Sequence, residues 1–263
     1  MEPPTDDQPD PSLHTEVIGH GPRVALAHGF TQTGRLWGEF GDRLAAGRQL
    51  VALDLPGHGR SSGVRADLAG SAALVDRATD GLAPYDLLGY SLGARVALHV
   101  ALRRPPGLRR LVLVGGTAGI DDDRARAERR ARDDALADQL EASGDVAGFV
   151  ARWLAGPMFA GLPASAAGAA ERATNTAPGL ASSLRSAGTG TQAPRWADLG
   201  RITVPTLVVV GAADPRFIEH GRRLVAGLPD ATWALVPGAG HAAHLHQPAL
   251  TARLVGSWLE PAP

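Results

Sequence analysis

Three residues of this 263-residue chain have types, order and surroundings suited to moving a proton: Ser91, Asp214 and His241. Ser91 lies in Gly89-Tyr90-Ser91-Leu92-Gly93, directly after an apolar run, Tyr85–Leu88, and directly before a helical pattern, Ala94–Arg103. The flanking glycines suit a tight turn crowded by neighbouring chains. A serine hydroxyl is a poor nucleophile or base until a neighbour takes its proton. His241, at the end of Gly238-Ala239-Gly240-His241, is the acceptor this pattern offers. Asp214, at the end of Gly211-Ala212-Ala213-Asp214, would fix the imidazole tautomer and stabilise the imidazolium. Singly, each residue has a plainer reading. The serine could be idle in a Gly-rich loop, and Asp214, with Pro215 next to it, could be only a helix N-cap. His244 and His246 compete with His241, but they fall where a closing helix begins and are expected at the surface. The three residues in this order are far more specific than any one alone.

The elements that must position them alternate. Strands are expected at His14–Ile18, Val24–Ala27, Leu50–Leu53, Tyr85–Leu88, Leu111–Val114, Thr206–Val210 and Thr232–Val236. Helices are expected at Arg35–Ala46, Ala72–Asp80, Ala94–Arg103, Phe217–Leu228 and Pro248–Leu259. Strands alternating with helices imply a mostly parallel sheet covered on both faces. Gly-x-Ser-x-Gly between strand and helix is the nucleophile elbow of the α/β-hydrolase fold, in which acid and histidine follow the serine in that order. The rhythm stops between about Thr117 and Trp196, where only helical stretches are expected: Asp121–Leu140, Phe149–Leu154 and Ala164–Thr174. The expected organisation is therefore an α/β core made of 13–116 and 197–263, a helical lid inserted at 117–196, and a tail at 1–12. An oxyanion hole would use the backbone N–H groups of Leu92 and of Phe30, after His28-Gly29. His28 is expected to order that loop. Asp54–Ser61, rich in glycine, reads as a tight structural loop without chemistry.

Composition removes whole classes. The net charge of −1 argues against a general nucleic-acid binder. With no cysteine, disulfides, thiol catalysis and thiolate metal sites are excluded. No apolar run approaches the roughly 20 residues of a membrane span. Met1–Ser12 is acidic and Pro-rich, reads as disordered and does not resemble a signal peptide. A soluble cytoplasmic protein, monomeric or a small homo-oligomer, is expected. Every basic residue is arginine, so each can grip a carboxylate through two nitrogens. Arg95 lies one helical turn after Ser91 and could reach a pocket floor, point outward or form a salt bridge. Arg129 and Arg172 lie in the lid, where spacing alone favours a solvated helix face.

Gly89–Arg95, Gly119-Ile120 with Arg126–Arg129, Trp153 followed by Pro157-Met158-Phe159, Arg172 with Asn175, and Asp214–Phe217 together give a narrower resemblance. From about Val24 to Pro248 the chain resembles the 2-succinyl-6-hydroxy-2,4-cyclohexadiene-1-carboxylate synthases, lyases of menaquinone biosynthesis. The resemblance implies loss of pyruvate from 2-succinyl-5-enolpyruvyl-6-hydroxy-3-cyclohexene-1-carboxylate, with no added water, no cofactor and no metal. Ser91, His241 and Asp214 would act as a base, and the oxyanion hole would hold an enolate. Arg95, Arg129 and Arg172 match the carboxylate-binding positions, with Tyr90 and Trp153 lining the pocket. Where the family often has a second glycine this chain has Ala94, whose methyl should fit at a helix start but could shift Arg95 slightly; where it often has lysine this chain has Arg216, a change that keeps the charge and is expected to be neutral. Two other readings stand beside this one. The first is an ordinary serine hydrolase of carboxylate-bearing esters or C–C bonds. The second is a non-enzymatic binding protein on the same fold, which an intact triad argues against.

Overall fold

Residues 12–260 are described in a computed structural model. Of the expected tail only Ser12 falls among them. Seven strands form one sheet: β1 (Thr15–Ile18), β2 (Arg23–Ala27), β3 (Gln49–Leu53), β4 (Tyr85–Tyr90), β5 (Leu108–Val114), β6 (Thr206–Gly211) and β7 (Ala231–Val236). Their spatial order is β1-β3-β2-β4-β5-β6-β7. β1 pairs antiparallel with β3, and every other pairing is parallel. The central strands are apolar runs because both faces are covered. Val24, Leu26, Leu87, Leu88 and Leu111–Val114 are all fully enclosed.

The helices of the core are α1 (Gly38–Ala45), α2 (Leu68–Thr79), α3 (Leu92–Arg103), α9 (Pro215–Gly227), α10 (Ala243–His246) and α11 (Pro248–Leu259). α2 starts earlier than its apolar spacing suggested because Asp67 caps it, accepting from the Gly70 N–H at 2.7 Å. Between β5 and β6 the described residues hold only helical and irregular segments. These include α4 (Asp123–Ser143), α5 (Val146–Leu154), α6 (Ala164–Ala167), α7 (Ala169–Arg172) and α8 (Ala177–Ala187). The expected helix over Ala164–Thr174 is broken at Gly168, whose φ of +63° leaves the helical region. α8 was not foreseen: Pro178 and Gly179 look like breakers. Proline fits the first turn, however, and Thr176 caps that end by accepting from Gly179 N–H. Ala137, Leu140, Phe149, Leu180 and Leu184 give this segment a small apolar core of its own. No described helix is long and apolar enough to cross a membrane.

Candidate active site

Parallel strands deliver their C-terminal ends, and the loops that follow them, to one edge of the sheet. β4 ends at Tyr90, and α3 begins at Leu92, so Ser91 alone makes the turn. Its backbone sits at φ +52°, ψ −105°, a region that costs a non-glycine residue about 1–3 kcal/mol. The surroundings enforce it. A Cβ on Gly89 would meet Gly93 O at 2.2 Å, and one on Gly93 would meet Ala27 O at 1.9 Å. Strand, turn and helix therefore close against one another only with glycine at both places.

Ser91 Oγ lies 3.0 Å from His241 Nε2, and His241 Nδ1 lies 3.1 Å from Asp214 Oδ2. Asp214 keeps the imidazole proton on Nδ1, leaving Nε2 free to accept from the serine. Asp214 also accepts from Phe217 N–H through Oδ1 at 3.2 Å, so it is the N-cap of α9 as well as the histidine's partner. The two readings of Asp214 are both correct, one oxygen serving each. The ring of Phe217 packs on His241 with centroids 4.2 Å apart, and Gly115 lies against its other atoms.

Opposite Ser91, the loop after β2 carries Phe30. Neither the Phe30 nor the Leu92 backbone N–H bonds to a described residue, so both donors are available to an anion at the serine. The loop is held from two sides. His28 donates through Nδ1 to Gly29 O at 2.8 Å and accepts from Leu55 N–H at 3.0 Å. His58, in the loop expected to be structural, donates to Pro56 O at 3.0 Å and accepts from Thr31 N–H. Asp54 ties the same loop down by accepting from Gly34 and Arg60 N–H groups at 2.7 and 2.8 Å. From the inserted segment, Asn175 donates to Thr31 O at 2.7 Å and accepts from Gly59 N–H at 2.8 Å. Arg172 donates to Ala167 O at 2.8 Å, to Phe30 O at 3.3 Å and to the Thr31 hydroxyl. Thr31 has a positive φ of 69°, and these bonds are what hold it there.

The predicted substrate contacts divide accordingly. Arg95, Arg129 and Trp153 line a cavity above Ser91, with Phe30 and Leu92. Tyr90 and Arg172 do not line it. Tyr90 is buried behind His241 and against His244, with centroids 5.4 and 4.4 Å away. Arg172 is fully enclosed, because its guanidinium is spent on the oxyanion loop. Its burial lowers its pKa to about 10, which still leaves it a cation at neutral pH. Arg95 donates to Ala187 O at 2.8 Å and reaches Gln192 Oε1 at 3.5 Å. Arg129 donates through Nε to Asp133 at 2.9 Å, which leaves its two terminal nitrogens without a described partner. Asp133, Ser183, Leu184 and Ala187 were not foreseen as cavity residues. Asp133 could have been found from its i,i+4 spacing to Arg129; the residues of α8 had no signal.

A prediction follows for Arg172→Ala. It leaves Phe30 O, Ala167 O and the Thr31 hydroxyl with lost partners and opens a void. Denaturant unfolding should show a loss of about 3 kcal/mol. Activity should fall mainly in kcat, since Phe30 N–H loses its alignment. A large rise in KM at unchanged stability would show instead that Arg172 touches substrate.

His244, expected at the surface, is completely enclosed among Trp37, Phe40 and Tyr90, and neither ring nitrogen has a partner. It lies on α10, the short helix that precedes α11. Burial lowers the pKa of His28 to about 4 and those of His58 and His244 to about 3. The unfolded chain protonates these rings near pH 6.5, whereas the folded chain resists until pH 4 or 3. Unfolding therefore takes up protons in that window. The stability associated with the neutral rings is complete above pH 6.5 and lost as pH falls toward 4 and 3. The pKa of His99 is held down to about 4 in the same way, so thermal melts should show Tm dropping steeply from pH 6.5 to 4, with an uptake of about four protons by these histidines on unfolding. A flat Tm over that range would contradict the neutral, buried state of these rings.

The sheet order, the elbow and the Ser–His–Asp geometry define a class. A model described as the alpha/beta hydrolase family matches residues 24–254, and the chain belongs to that family. It is 34% identical over 233 residues to the 2-succinyl-6-hydroxy-2,4-cyclohexadiene-1-carboxylate synthase of Klebsiella pneumoniae (strain ATCC 700721 / MGH 78578), covering 87% of this chain and 90% of that one. It is 33% identical over 246 residues to the protein of the same name from Serratia proteamaculans (strain 568), covering 90% and 94%. Among solved structures, MenH from S. aureus superimposes with a TM-score of 0.86 at 26% identity, over 94% of this chain and 97% of that one. Within the α/β-hydrolases the chain is thus a member of the 2-succinyl-6-hydroxy-2,4-cyclohexadiene-1-carboxylate synthase family.

Proposed function

We propose that this enzyme eliminates pyruvate from 2-succinyl-5-enolpyruvyl-6-hydroxy-3-cyclohexene-1-carboxylate to give 2-succinyl-6-hydroxy-2,4-cyclohexadiene-1-carboxylate. The observation that carries this reading is a Ser–His–Asp triad opening onto an arginine-lined cavity, in a chain one-third identical to synthases of that name. His241 Nε2 takes the hydroxyl proton of Ser91 as Oγ takes the ring proton beside the succinyl ketone. Charge moves to the ketone oxygen, which the N–H groups of Phe30 and Leu92 stabilise as an enolate. Collapse of the enolate breaks the ring C–O bond. The departing enolpyruvate receives the proton held on His241 and ends as pyruvate. Arg95 and Arg129 bind substrate carboxylates, and Trp153 walls the cavity. Arg172 and Tyr90 act by position, one through the Phe30 loop and the other behind His241. A cytoplasmic, cofactor-independent enzyme, monomeric or a small homo-oligomer, goes with this reading, and neither nucleic acid nor membrane is a partner.

Two unoccupied oxyanion donors beside a hydrogen-bonded Ser–His pair also suit acyl transfer, so hydrolysis of carboxylate-bearing esters or C–C bonds is the second reading. Purified protein given the cyclohexene substrate decides between them. Release of one pyruvate per diene formed, followed with lactate dehydrogenase, is the expected result. No pyruvate, with turnover of esters and covalent labelling of Ser91 by a fluorophosphonate, would establish the hydrolase.

A further inference from the structure

Arg216 occupies a place in this site that its expected neutrality did not suggest. It stands on the first turn of α9, two residues after Asp214. It makes no ion pair and no hydrogen bond with any described residue. Arg95 is engaged with Ala187 O, Arg129 with Asp133 and Arg223 with Asp121, while Arg132, likewise unpaired among the described residues, lines only the outer groove. Desolvation and the proximity of Arg129 both press its pKa below the usual guanidinium value. Two cations held near one another are unfavourable until an anion joins them.

The shape of the site gives that anion a route. The inner cavity over Ser91 has a volume of about 70 Å³, and the outer groove that continues from it about 740 Å³. Ligand sites for drug-sized molecules run from roughly 300 Å³ upward. A six-membered ring bearing one carboxylate directly and two more on its succinyl and enolpyruvyl arms exceeds the inner cavity and must extend into the groove. Arg216 lines both spaces, as Arg129 does, and so stands at their junction. Three carboxylates need three cations. The inner wall supplies Arg95 and Arg129, and Arg172 is sealed behind the Phe30 loop. One substrate anion lacks a cation, and Arg216 is a cation at the junction with no direct ion pair, Asp214 acting on it only from a distance.

We propose that Arg216 is a substrate-binding residue that grips the outermost carboxylate of the polycarboxylate substrate where the inner cavity meets the groove. The inference rests on the elimination reading above. The test measures pyruvate release by wild type, Arg216→Gln, Arg216→Met and Arg216→Lys. Arg124→Gln serves as a charge control, its side chain being 89% exposed, paired with Glu128 and outside the lining of both the cavity and the groove. Both neutral variants should raise KM about 10- to 100-fold with kcat within about threefold, and lysine should recover most of the loss. Arg124→Gln should match wild type. Calorimetry in a Ser91→Ala background should show substrate affinity falling by the same factor when Arg216→Gln is added. Wild-type KM in both neutral variants, or equal impairment in the lysine and neutral variants, overturns the assignment. Absence of pyruvate from the wild-type reaction overturns the elimination reading itself, before any variant is compared.

Discussion

Ser91→Ala should slow pyruvate release about 10³-fold while leaving KM and Tm nearly unchanged. The loss is the size expected for removing a positioned proton carrier. His241 Nε2 sits 3.0 Å from the hydroxyl, and without Oγ it has no short path to a ring proton. The strained φ of 52° persists, since alanine and serine meet the same backbone restriction. Arginine contacts to the carboxylates also persist, which is why binding should survive. Because serine and histidine act as one unit, Ser91→Ala combined with His241→Ala should be little slower than either alone. Single-turnover pyruvate assays on the three variants test this. A serine variant within tenfold of wild type would mean that His241 or another base takes the proton directly.

Gly93→Ala should be the most destructive small change in the molecule. The added methyl would stand 1.9 Å from Ala27 O and 2.4 Å from Ala27 C, with His28 O at 2.7 Å. All three are backbone atoms at the end of β2, so nothing flexible can yield. The cost exceeds about 4 kcal/mol, enough to unfold many domains of this size. Material that does fold should have lost the alignment of Leu92 N–H with Phe30 N–H. The neighbouring position behaves oppositely. Ala94 is buried without strain, its methyl beside Gly116. Ala94→Gly should cost only about 1 kcal/mol, from helix propensity. Denaturant melts of the pair should therefore differ by several kcal/mol for one methyl each. Similar stabilities would contradict the close packing of α3 against β2.

The triad was legible because its chemistry needs particular residue types in loops that follow strands, and strands leave period and composition in the sequence. The alternation of elements gave the sheet for the same reason. What escaped was set by tertiary packing. His244 looked like a surface residue because its neighbours in sequence are polar, yet Trp37, Phe40 and Tyr90 close over it from three other elements. Arg172 looked like a substrate ligand because it matches the family motif. Its guanidinium instead meets Phe30 and Thr31, more than 140 residues earlier in the chain, and no local pattern encodes that distance. Arg129 lines the cavity, and its bond to Asp133 shows that one edge of its guanidinium is already taken. α8 was hidden by Pro178 and Gly179. Gly179 is there because a Cβ would strike Gly57 O at 2.4 Å, a packing demand from another part of the fold.

The bonds from Arg172 and Asn175 to the Phe30–Thr31 loop tie the order of the inserted segment to catalytic competence. Any excursion that lifts α7 and the Asn175 turn away from the sheet edge also withdraws the props from a backbone held at positive φ. The anion-stabilising N–H of Phe30 then loses the contacts that hold its loop. A molecule in that state is poorly equipped to hold an enolate, so the order of the inserted segment and the competence of the oxyanion donors rise and fall together. Such a coupling would register in hydrogen exchange as a shared opening rate for the amides of Thr31 and Asn175.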